Sequence, residues 1–393
     1  MPYQLTYQQL LQDLQQAYID ARRNKRQKPC QKQFEEQKNE KLRKLCDELW
    51  NRNYKPGISS CFIINDPKVR EVFAAQFRDR IVHHLYFNYT HELLERTFIS
   101  DSYSCIKHRG THFGIKRLEN HIRKESQNYT ESCYVLKMDI KGYFMHINRS
   151  CLLDITLRQL RKMASHRIQK IKCERWRDKV DFDFVEYLTK VIVMQNPVEG
   201  CYRCGSVKEW ERLPREKSLF CSDDGYGLPI GNLTSQLFSN VYLNELDQYA
   251  KRVLHCKHYG RYVDDFFVVS ADRDFLCAVR KSLSSFLKQH LLLEINEKKT
   301  VVCDVRKGVP FLGAYLKPNR RYVFNGTLRR IRKRVESFDN NCQPCHLRSV
   351  INSYLGLLSH YSSYRIRRNV FGEISHAYKY GYFTKGMKKY VLR

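Results

Sequence analysis

The sequence has no run of about 18 apolar residues and no segment that resembles a signal peptide. It therefore predicts neither a membrane span nor export, and we expect a cytoplasmic protein. It also has no Walker loop and no GxGxxG string, because the glycines of GYGLPIG, residues 225–231, have the wrong spacing. ATP-driven or dinucleotide-dependent chemistry therefore has no support in the sequence.

Acidic residues are scarce relative to basic ones. The 393 residues include 41 Asp and Glu against 70 Lys and Arg, which gives a formal net charge of +29. Such an excess repels itself unless a polyanion binds, so nucleic acid is the first partner that the composition indicates. From charge alone, an anionic membrane surface or an acidic protein is the alternative.

The cysteines do not form an obvious framework. Fifteen of them are scattered through helix-like and strand-like segments, which is typical of buried thiols in a reducing compartment. Cys201 and Cys204 form a CxxC with Cys221 nearby, but no fourth ligand follows at ordinary zinc spacing. The sequence leaves open whether these three thiols bind zinc.

Hydrophobic periodicity divides the chain into helices and strands. Residues 1–55 carry leucines at helical spacing and predict two amphipathic helices. Further along, the pattern predicts strands at 61–66, 134–140, 291–303 and 309–316, and helices at 71–98, 235–254 and 272–290. This is an α+β pattern, a small antiparallel sheet that carries helices on one face.

Two adjacent aspartates, Asp264 and Asp265, lie at the turn of a predicted hairpin, HYGRYVDDFFVVS, residues 258–270. Taken alone, such a pair is most simply a solvated turn. However, Asp139 ends the apolar strand that precedes it, and two aspartyl strands laid antiparallel could hold two Mg²⁺ ions. One ion would activate a primer 3′-hydroxyl and the other would hold the leaving pyrophosphate, which is phosphoryl transfer.

At these motifs the chain resembles the reverse transcriptases. YVDD, residues 262–265, looks like their YxDD box, and DIKGYF, residues 139–144, looks like their first aspartate box. The resemblance implies an RNA-directed DNA polymerase in which Asp139, Asp264 and Asp265 are catalytic. Together with Ile140 they would bind two Mg²⁺ ions, for which Mn²⁺ can substitute. Its implied right-hand polymerase fold has an N-terminal helical extension at 1–55, fingers at 56–130, a palm at 131–318 with a fingers-like insertion at about 165–225, and a basic helical thumb at 319–393.

The same resemblance implies a dNTP site. Phe144 would exclude a ribose 2′-hydroxyl, Lys68 and Arg70 would bind the triphosphate, and Lys299, with Lys298 as a competitor, would lie near the departing pyrophosphate. FLGAYL, residues 311–316, resembles the turn that holds the primer end, with Phe311, Leu312 and Gly313 as its residues. Outside this context, Phe144 would be a core aromatic, the basic residues solvated surface and the turn a strand with a glycine bend.

GLPIGNLTSQ, residues 227–236, separates subgroups within the family. Its IGxxxSQ form, like SYSCIKHRGTHFGI at 102–115, resembles the reverse transcriptases of diversity-generating retroelements. Ile230, Gly231 and Gln236 would then line the dNTP site, with Ile230 where most relatives have a glutamine amide. An apolar group there cannot hydrogen-bond, so the check on base-pair geometry should be looser.

That subgroup implies a mutagenic polymerase, bacterial or phage-encoded, that copies a template-repeat RNA into cDNA with errors opposite adenines. Its implied partners are the RNA, the cDNA/RNA hybrid, dNTPs and an accessory variability determinant protein. We expect the accessory protein to be a helical-bundle oligomer, a pentamer. We also expect no membrane partner.

Other functions remain open at this stage. We expect no room for a ribonuclease H or endonuclease domain after the thumb, so a maturase-like or retron-type enzyme is the nearest alternative. A catalytically inactive palm-fold protein that binds RNA or acts in defence is a different class of function. The intact Asp139, Asp264 and Asp265 argue against inactivity.

Overall fold

The computed structural model describes residues 3–23, 28–65, 68–165, 180–338, 343–372 and 374–393. The helices are α1 (Tyr7–Arg22), α2 (Pro29–Glu35), α3 (Lys38–Trp50), α4 (Phe77–Glu95), α5 (Thr111–Glu125), α6 (Tyr143–His146), α7 (Arg149–Ser165), α8 (Phe182–Met194), α9 (Val207–Glu211), α10 (Leu233–Gln248), α11 (Arg273–His290), α12 (Asn325–Glu336), α13 (Pro344–Ser359), α14 (Tyr364–Phe371) and α15 (Ser375–Tyr380). The strands are β1 (Ser60–Ile64), β2 (Arg70–Ala74), β3 (Tyr134–Asp139), β4 (Tyr202–Arg203), β5 (His258–Tyr262), β6 (Asp265–Ser270), β7 (Val301–Asp304), β8 (Val309–Phe311), β9 (Ala314–Lys317), β10 (Arg320–Val323), β11 (Gly381–Phe383) and β12 (Tyr390–Leu392). This mixture of helices and small antiparallel sheets confirms the predicted α+β fold class.

The N-terminal segment contains three helices where the hydrophobic spacing predicts two. α1 begins at a capping box, in which Thr6 Oγ1 accepts from the Gln9 amide and the Gln9 side chain accepts from the Thr6 amide. The additional helix, α2, has Pro29 at its first position, where a fixed φ favours helix initiation. Leu10 and Leu45 are buried where α1 and α3 join the main core beside α4.

A β-hairpin precedes α4, and it corrects the prediction that residues 71–98 are helical throughout. Residues 70–74 form β2, which pairs antiparallel with β1, and the helix begins only at Phe77. The strand pattern of alternating burial places Glu71 and Phe73 inward. A third short strand, β4, adds to the free edge of β1 in parallel.

The central sheet has four antiparallel strands in the order β5-β6-β3-β7. The strand predicted at 291–303 is confined to β7 at 301–304, because residues 297–299 form a 3-10 turn. Apolar side chains alternate between the two faces of the sheet. Leu136 and Phe266 face the core built by α4, α7, α8, α10 and α11, whereas Val135 and Phe267 face α5 and β8–β9. Helices therefore cover both faces of the sheet. The sequence pattern predicts helices on one face only, and this prediction is wrong.

Within the insertion predicted at about 165–225, α8 belongs to the main core, since its Phe184 and Leu188 are buried there. The Thr189 hydroxyl also donates to the hydroxyl of Tyr86 on α4 at 3.0 Å. Part of the insertion, residues 166–179, lies outside the described residues. Apolar helical spacing, as in Phe184 and Leu188, is therefore a better guide to this segment than its average polarity.

The C-terminal segment builds a separate small core. Buried residues of α12–α15, β10 and β12 form one cluster that includes Ile331, Leu347, Leu355, Phe371 and Tyr390. Residues 320–393 contain sixteen Lys and Arg against three Asp and Glu, so this helical segment is strongly basic. Among the helices described here, none is long and apolar enough to cross a membrane.

Candidate active site

The three predicted aspartates meet at one end of the central sheet. Asp139 is the last residue of β3 and pairs across the sheet with Asp265, the first residue of β6. Such directly opposed residues have Cβ atoms about 5 Å apart. Asp264 lies in the turn between β5 and β6, and we call the three residues the acidic corner. A strand end and a turn that are far apart in the chain become a single site because β3 pairs with β6.

The turn that carries Asp264 has an unusual backbone. Tyr262 pairs with Asp265, which leaves Val263 and Asp264 as the two turn residues. Val263 has φ of 54°, a left-handed conformation that a β-branched residue rarely adopts. Such a conformation persists only when the surrounding structure determines it.

A buried ion pair lies directly beneath this turn. Arg261 and Asp247 are both inaccessible to solvent, and the guanidinium donates to the two Asp247 oxygens at 2.8 and 2.7 Å. The same guanidinium donates to the Val263 carbonyl at 3.1 Å. Tyr259 donates its hydroxyl to Asp247 at 2.7 Å. The pair thus connects α10 to the backbone that immediately precedes Asp264.

The sequence interpretation does not identify Arg261 or Asp247 as functional. A signal is nevertheless present, because Asp247 interrupts the apolar part of α10 directly after Leu246. A charged residue at a position that should be buried requires a partner of opposite charge. The spacing along the chain does not say which of the many arginines that partner is.

The carboxylates of the acidic corner repel one another. Burial, together with the charges of Asp265 and Asp139, raises the pKa of Asp264 to about 7. Burial also raises the pKa of Asp265, which Lys137, Lys299 and Lys68 partly oppose. The Lys299 ammonium lies 2.8 Å from each carboxylate oxygen of Asp139. The corner therefore attracts cations, and the positive charges of Lys68 and Lys299 partly neutralise it.

The donor set suits a hard divalent cation. Carboxylate oxygens are the ligands that Mg²⁺ prefers, and a cation among them would relieve the repulsion that raises the pKa of Asp264. In the part of the chain that the structure describes, no three His, Cys, Asp or Glu side chains are grouped closely enough to hold a metal as they stand. The carboxylates and Lys299 would therefore have to shift for an ion to bind.

Three of the residues predicted to contact the nucleotide lie on α6 and in the loop that precedes α10. Phe144 is half-buried on α6, and Tyr143 beside it donates its hydroxyl to the Ser239 carbonyl at 2.6 Å. Ile230 is also half-buried, and its carbonyl accepts from the Phe73 amide of β2 at 2.7 Å. Gly231, with φ of 128°, lies so close to β2 that a Cβ would collide with the Phe73 carbonyl.

Several of the predicted nucleotide contacts lie on the surface. Arg70 is exposed at the start of β2, and Gln236 is exposed in the first turn of α10. Lys68 is exposed as well, although its charge acts on Asp265. Their contacts with a nucleotide stay predictions.

The predicted primer turn is a tight hairpin. Phe311 pairs with Ala314, so Leu312 and Gly313 are the two turn residues, and both have positive φ, 47° and 82°. This is the backbone of a type I′ turn, in which glycine is favoured. Phe311 packs edge-on against Phe267 of β6 with ring centroids 5.2 Å apart. The turn is thus anchored to β6, the strand that begins with Asp265, on the face of the sheet that Phe267 and Val269 share.

The CxxC cysteines flank β4, and Cys221 lies in a 3-10 turn further along the chain. Burial raises the pKa of the Cys201 thiol, which disfavours the thiolate that zinc needs. Among the described residues, these three thiols also do not form a group of metal ligands close enough to hold an ion.

Comparison with known proteins points to one family. A family model described as reverse transcriptase (RNA-dependent DNA polymerase) matches residues 65–316. Protein YkfC of Escherichia coli strain K12 is 25% identical over 306 residues, which cover 69% of this chain and 70% of that protein.

Solved telomerase structures are also similar. The apo telomerase from Candida Tropicalis, truncated from its C-terminal domain, matches 66% of this chain with a TM-score of 0.46 and 13% identity. The telomerase from Candida albicans, in complex with a TWJ fragment of telomeric RNA, matches 84% with a TM-score of 0.48 and 12% identity. This chain spans 53% and 59% of the length of those two chains.

Proposed function

Because the chain belongs to the reverse transcriptase (RNA-dependent DNA polymerase) family, whose model matches residues 65–316, we propose that the acidic corner is its nucleotidyl-transfer centre. The observation that carries this proposal is the pairing of Asp139 with Asp265 beside Asp264. Three carboxylates that repel one another have no evident structural benefit, since the pKa of Asp264 is raised to about 7. A site that binds cations explains why they are kept together.

We propose Mg²⁺ as the cofactor, with Mn²⁺ as a substitute. Asp139, Asp264 and Asp265, with the Ile140 backbone, would hold two ions. When bound, the ions supply activation of the primer 3′-hydroxyl and neutralisation of the charge on the leaving pyrophosphate.

The chain's own groups then bind and orient the substrates. Lys68 and Arg70 attract the triphosphate from the fingers hairpin, and Lys299 neutralises charge at the corner. Phe144 presents an aromatic face to the sugar, where a 2′-hydroxyl would find neither room nor a hydrogen-bond partner. The Leu312–Gly313 turn, anchored through Phe311, holds the primer end.

The finer proposal is that this enzyme is the error-prone polymerase of a diversity-generating retroelement. The IGxxxSQ form of residues 230–236 supports it. The enzyme copies a template-repeat RNA, misincorporates opposite adenines and supplies cDNA for mutagenic retrohoming. Its partners would be an accessory variability determinant, a helical-bundle oligomer, and the RNA, a polyanion that the +29 charge of the chain would attract.

Substituting Asp264 tests the catalytic assignment. Asp264→Ala should reduce extension of a primed RNA template by dNTPs and Mg²⁺ by at least about a hundredfold, because a charge-stabilising group is lost. Affinity for the RNA should stay within about twofold, since RNA binding rests on the basic surfaces. Asp154→Ala is the matched control, because Asp154 is an exposed aspartate on α7.

Normal extension by Asp264→Ala would refute the assignment of the corner. RNA binding without extension by the wild-type chain would instead favour the inactive RNA-binding alternative.

Substituting Ile230 tests the mutagenic role. Ile230→Gln restores an amide that can hydrogen-bond to the nascent pair, so misincorporation opposite template adenine should fall. Sequencing the cDNA from one template with wild-type and variant enzymes measures the change. An unchanged error spectrum would remove Ile230 from the explanation. A wild-type enzyme that makes no excess of errors at adenines would favour a maturase-like or retron-type enzyme.

A further inference from the structure

A small apolar cluster lies beneath the two residues predicted to select the nucleotide. Its buried members are Cys61, Phe73, Met145 and Leu219, and we call it the gate cluster. Phe144 and Ile230 are both half-buried and pack against it. The sugar-contacting residue and the base-pair-contacting residue therefore rest on the same support, which three distant segments of the chain contribute.

Backbone hydrogen bonds reinforce this connection. The Leu228 amide donates to the Phe144 carbonyl at 2.8 Å, and the Phe73 amide donates to the Ile230 carbonyl at 2.7 Å. The GLPIG loop is thus held between α6 on one side and β2 on the other. Gly231 permits the close approach, since any side chain there would meet the Phe73 carbonyl.

Phe73 is the centre of this arrangement. Its side chain is fully buried, and its ring stacks on Phe220 with centroids 5.9 Å apart. Two residues earlier on the same face of β2, Glu71 is also buried and accepts hydrogen bonds from the Ser218 hydroxyl, at 2.8 Å, and from the Leu219 amide. The strand that begins with Arg70 is therefore fixed to the loop and to the cluster together.

We propose that Phe73 is a specificity-determining residue, which acts as a positioning residue for both Phe144 and Ile230. This inference rests on the proposed polymerase function. A well-packed interior transmits a change of volume to its neighbours. A smaller side chain at position 73 would free Phe144 and Ile230 at once, so sugar selection and base-pair selection should change together. No single contact with the nucleotide would couple the two.

The test uses Phe73→Leu in the full chain, with Phe371→Leu as the matched control. Phe371 is equally buried, but it belongs to the core of the C-terminal segment. Each enzyme is assayed for kcat/KM with dCTP and with CTP on the same primed RNA, for misincorporation at each template base, and for its melting temperature. Phe73→Leu should lower the dCTP to CTP preference by about tenfold and change the misincorporation rate as well. Phe371→Leu should lower the melting temperature without changing either.

Phe73→Met serves as a second variant, because Met and Leu have nearly the same volume but different shapes. It should shift both selectivities in the same direction as Phe73→Leu and by a similar amount. The inference is overturned if both Phe73 variants extend primers with wild-type sugar preference, or if only one of the two selectivities changes. A wild-type chain that extends no primer overturns the proposed function itself, which is a different result from unchanged selectivity in an active variant.

Discussion

At the scale of single residues, the buried pair Arg261 and Asp247 is the feature most closely tied to the proposed chemistry. Taking two charges out of water is costly, and apolar replacements are often at least as stable. The Val263 carbonyl gives the pair another role. The Arg261 guanidinium donates to Asp247 and to this carbonyl at the same time. It therefore holds the left-handed turn beside Asp264 in one geometry.

A double substitution separates stability from positioning. Arg261→Met alone should lower the free energy of unfolding by roughly 3–5 kcal/mol, because Asp247 is left buried without its partner. Arg261→Met combined with Asp247→Leu should recover part of that loss. Primer extension should stay at least about tenfold low in both, since the donor to Val263 is gone. Denaturant titration and single-nucleotide extension measure the two effects, and full activity in the double variant would contradict the positioning role.

At the scale of elements, the β1–β2 hairpin shows why the prediction for residues 71–98 was wrong. Residues 72–75 are apolar and lead to Phe77 with only Gln76 between, and neither proline nor glycine marks a boundary. Residues 70–74 become a strand because β1 supplies the backbone partners. Strand formation depends on such non-local pairing, which the residues on either side of Phe77 do not reveal by themselves.

Gly231 tests the contact between this hairpin and the GLPIG loop. Gly231→Ala should reduce primer extension by about tenfold or more, because its Cβ would meet the Phe73 carbonyl and its φ of 128° disfavours a side chain. Gly356→Ala is the matched control. Gly356 lies in α13 with no atoms near a Cβ position, so the change should stabilise the helix by up to about 1 kcal/mol. Melting temperature and extension rate are measured for both, and an active Gly231→Ala enzyme would show that the loop and β2 can separate.

At the scale of the whole molecule, buried histidines make stability depend on pH. His83 lies in the main core, where its Nδ1 is 2.8 Å from the Thr234 hydroxyl. Burial, followed by the charges of His84 and Arg80, lowers its pKa from 6.5 to about 4. The unfolded chain therefore binds this proton more readily than the folded one.

Because the pKa of His83 is lower in the folded chain, neutral His83 contributes fully to the free energy of unfolding above pH 6.5. This contribution is lost as the pH falls towards 4. The loss amounts to about 3 kcal/mol of unfolding free energy. In His83→Gln the part of the pH dependence that comes from His83 should disappear. The difference in unfolding free energy between wild type and variant should therefore shrink as the pH falls. Denaturant titrations at several pH values measure it, and parallel curves would contradict the assignment to His83.

The main features of the fold and of the acidic corner could be predicted from the chain alone. The α+β class, the strand that ends at Asp139 and the hairpin at Asp264 follow from local patterns that a sheet requires. The third N-terminal helix, the limits of β7 and the covering of both sheet faces were missed. Each depends on packing between segments that are distant in sequence.

The sequence by itself determined which chemistry is present: three aspartates on strand ends and turns, a basic chain, and the motifs of a polymerase family. These are matters of residue type and local spacing, which the chain carries before it folds. Only the tertiary structure decided that Asp139 lies opposite Asp265, that Arg261 supports the turn from below, and that Phe144 and Ile230 share one apolar support. Those relations join segments that lie more than a hundred residues apart, as for Asp139 and Asp265 or for Phe73 and Ile230, and long-range pairing and close packing create them.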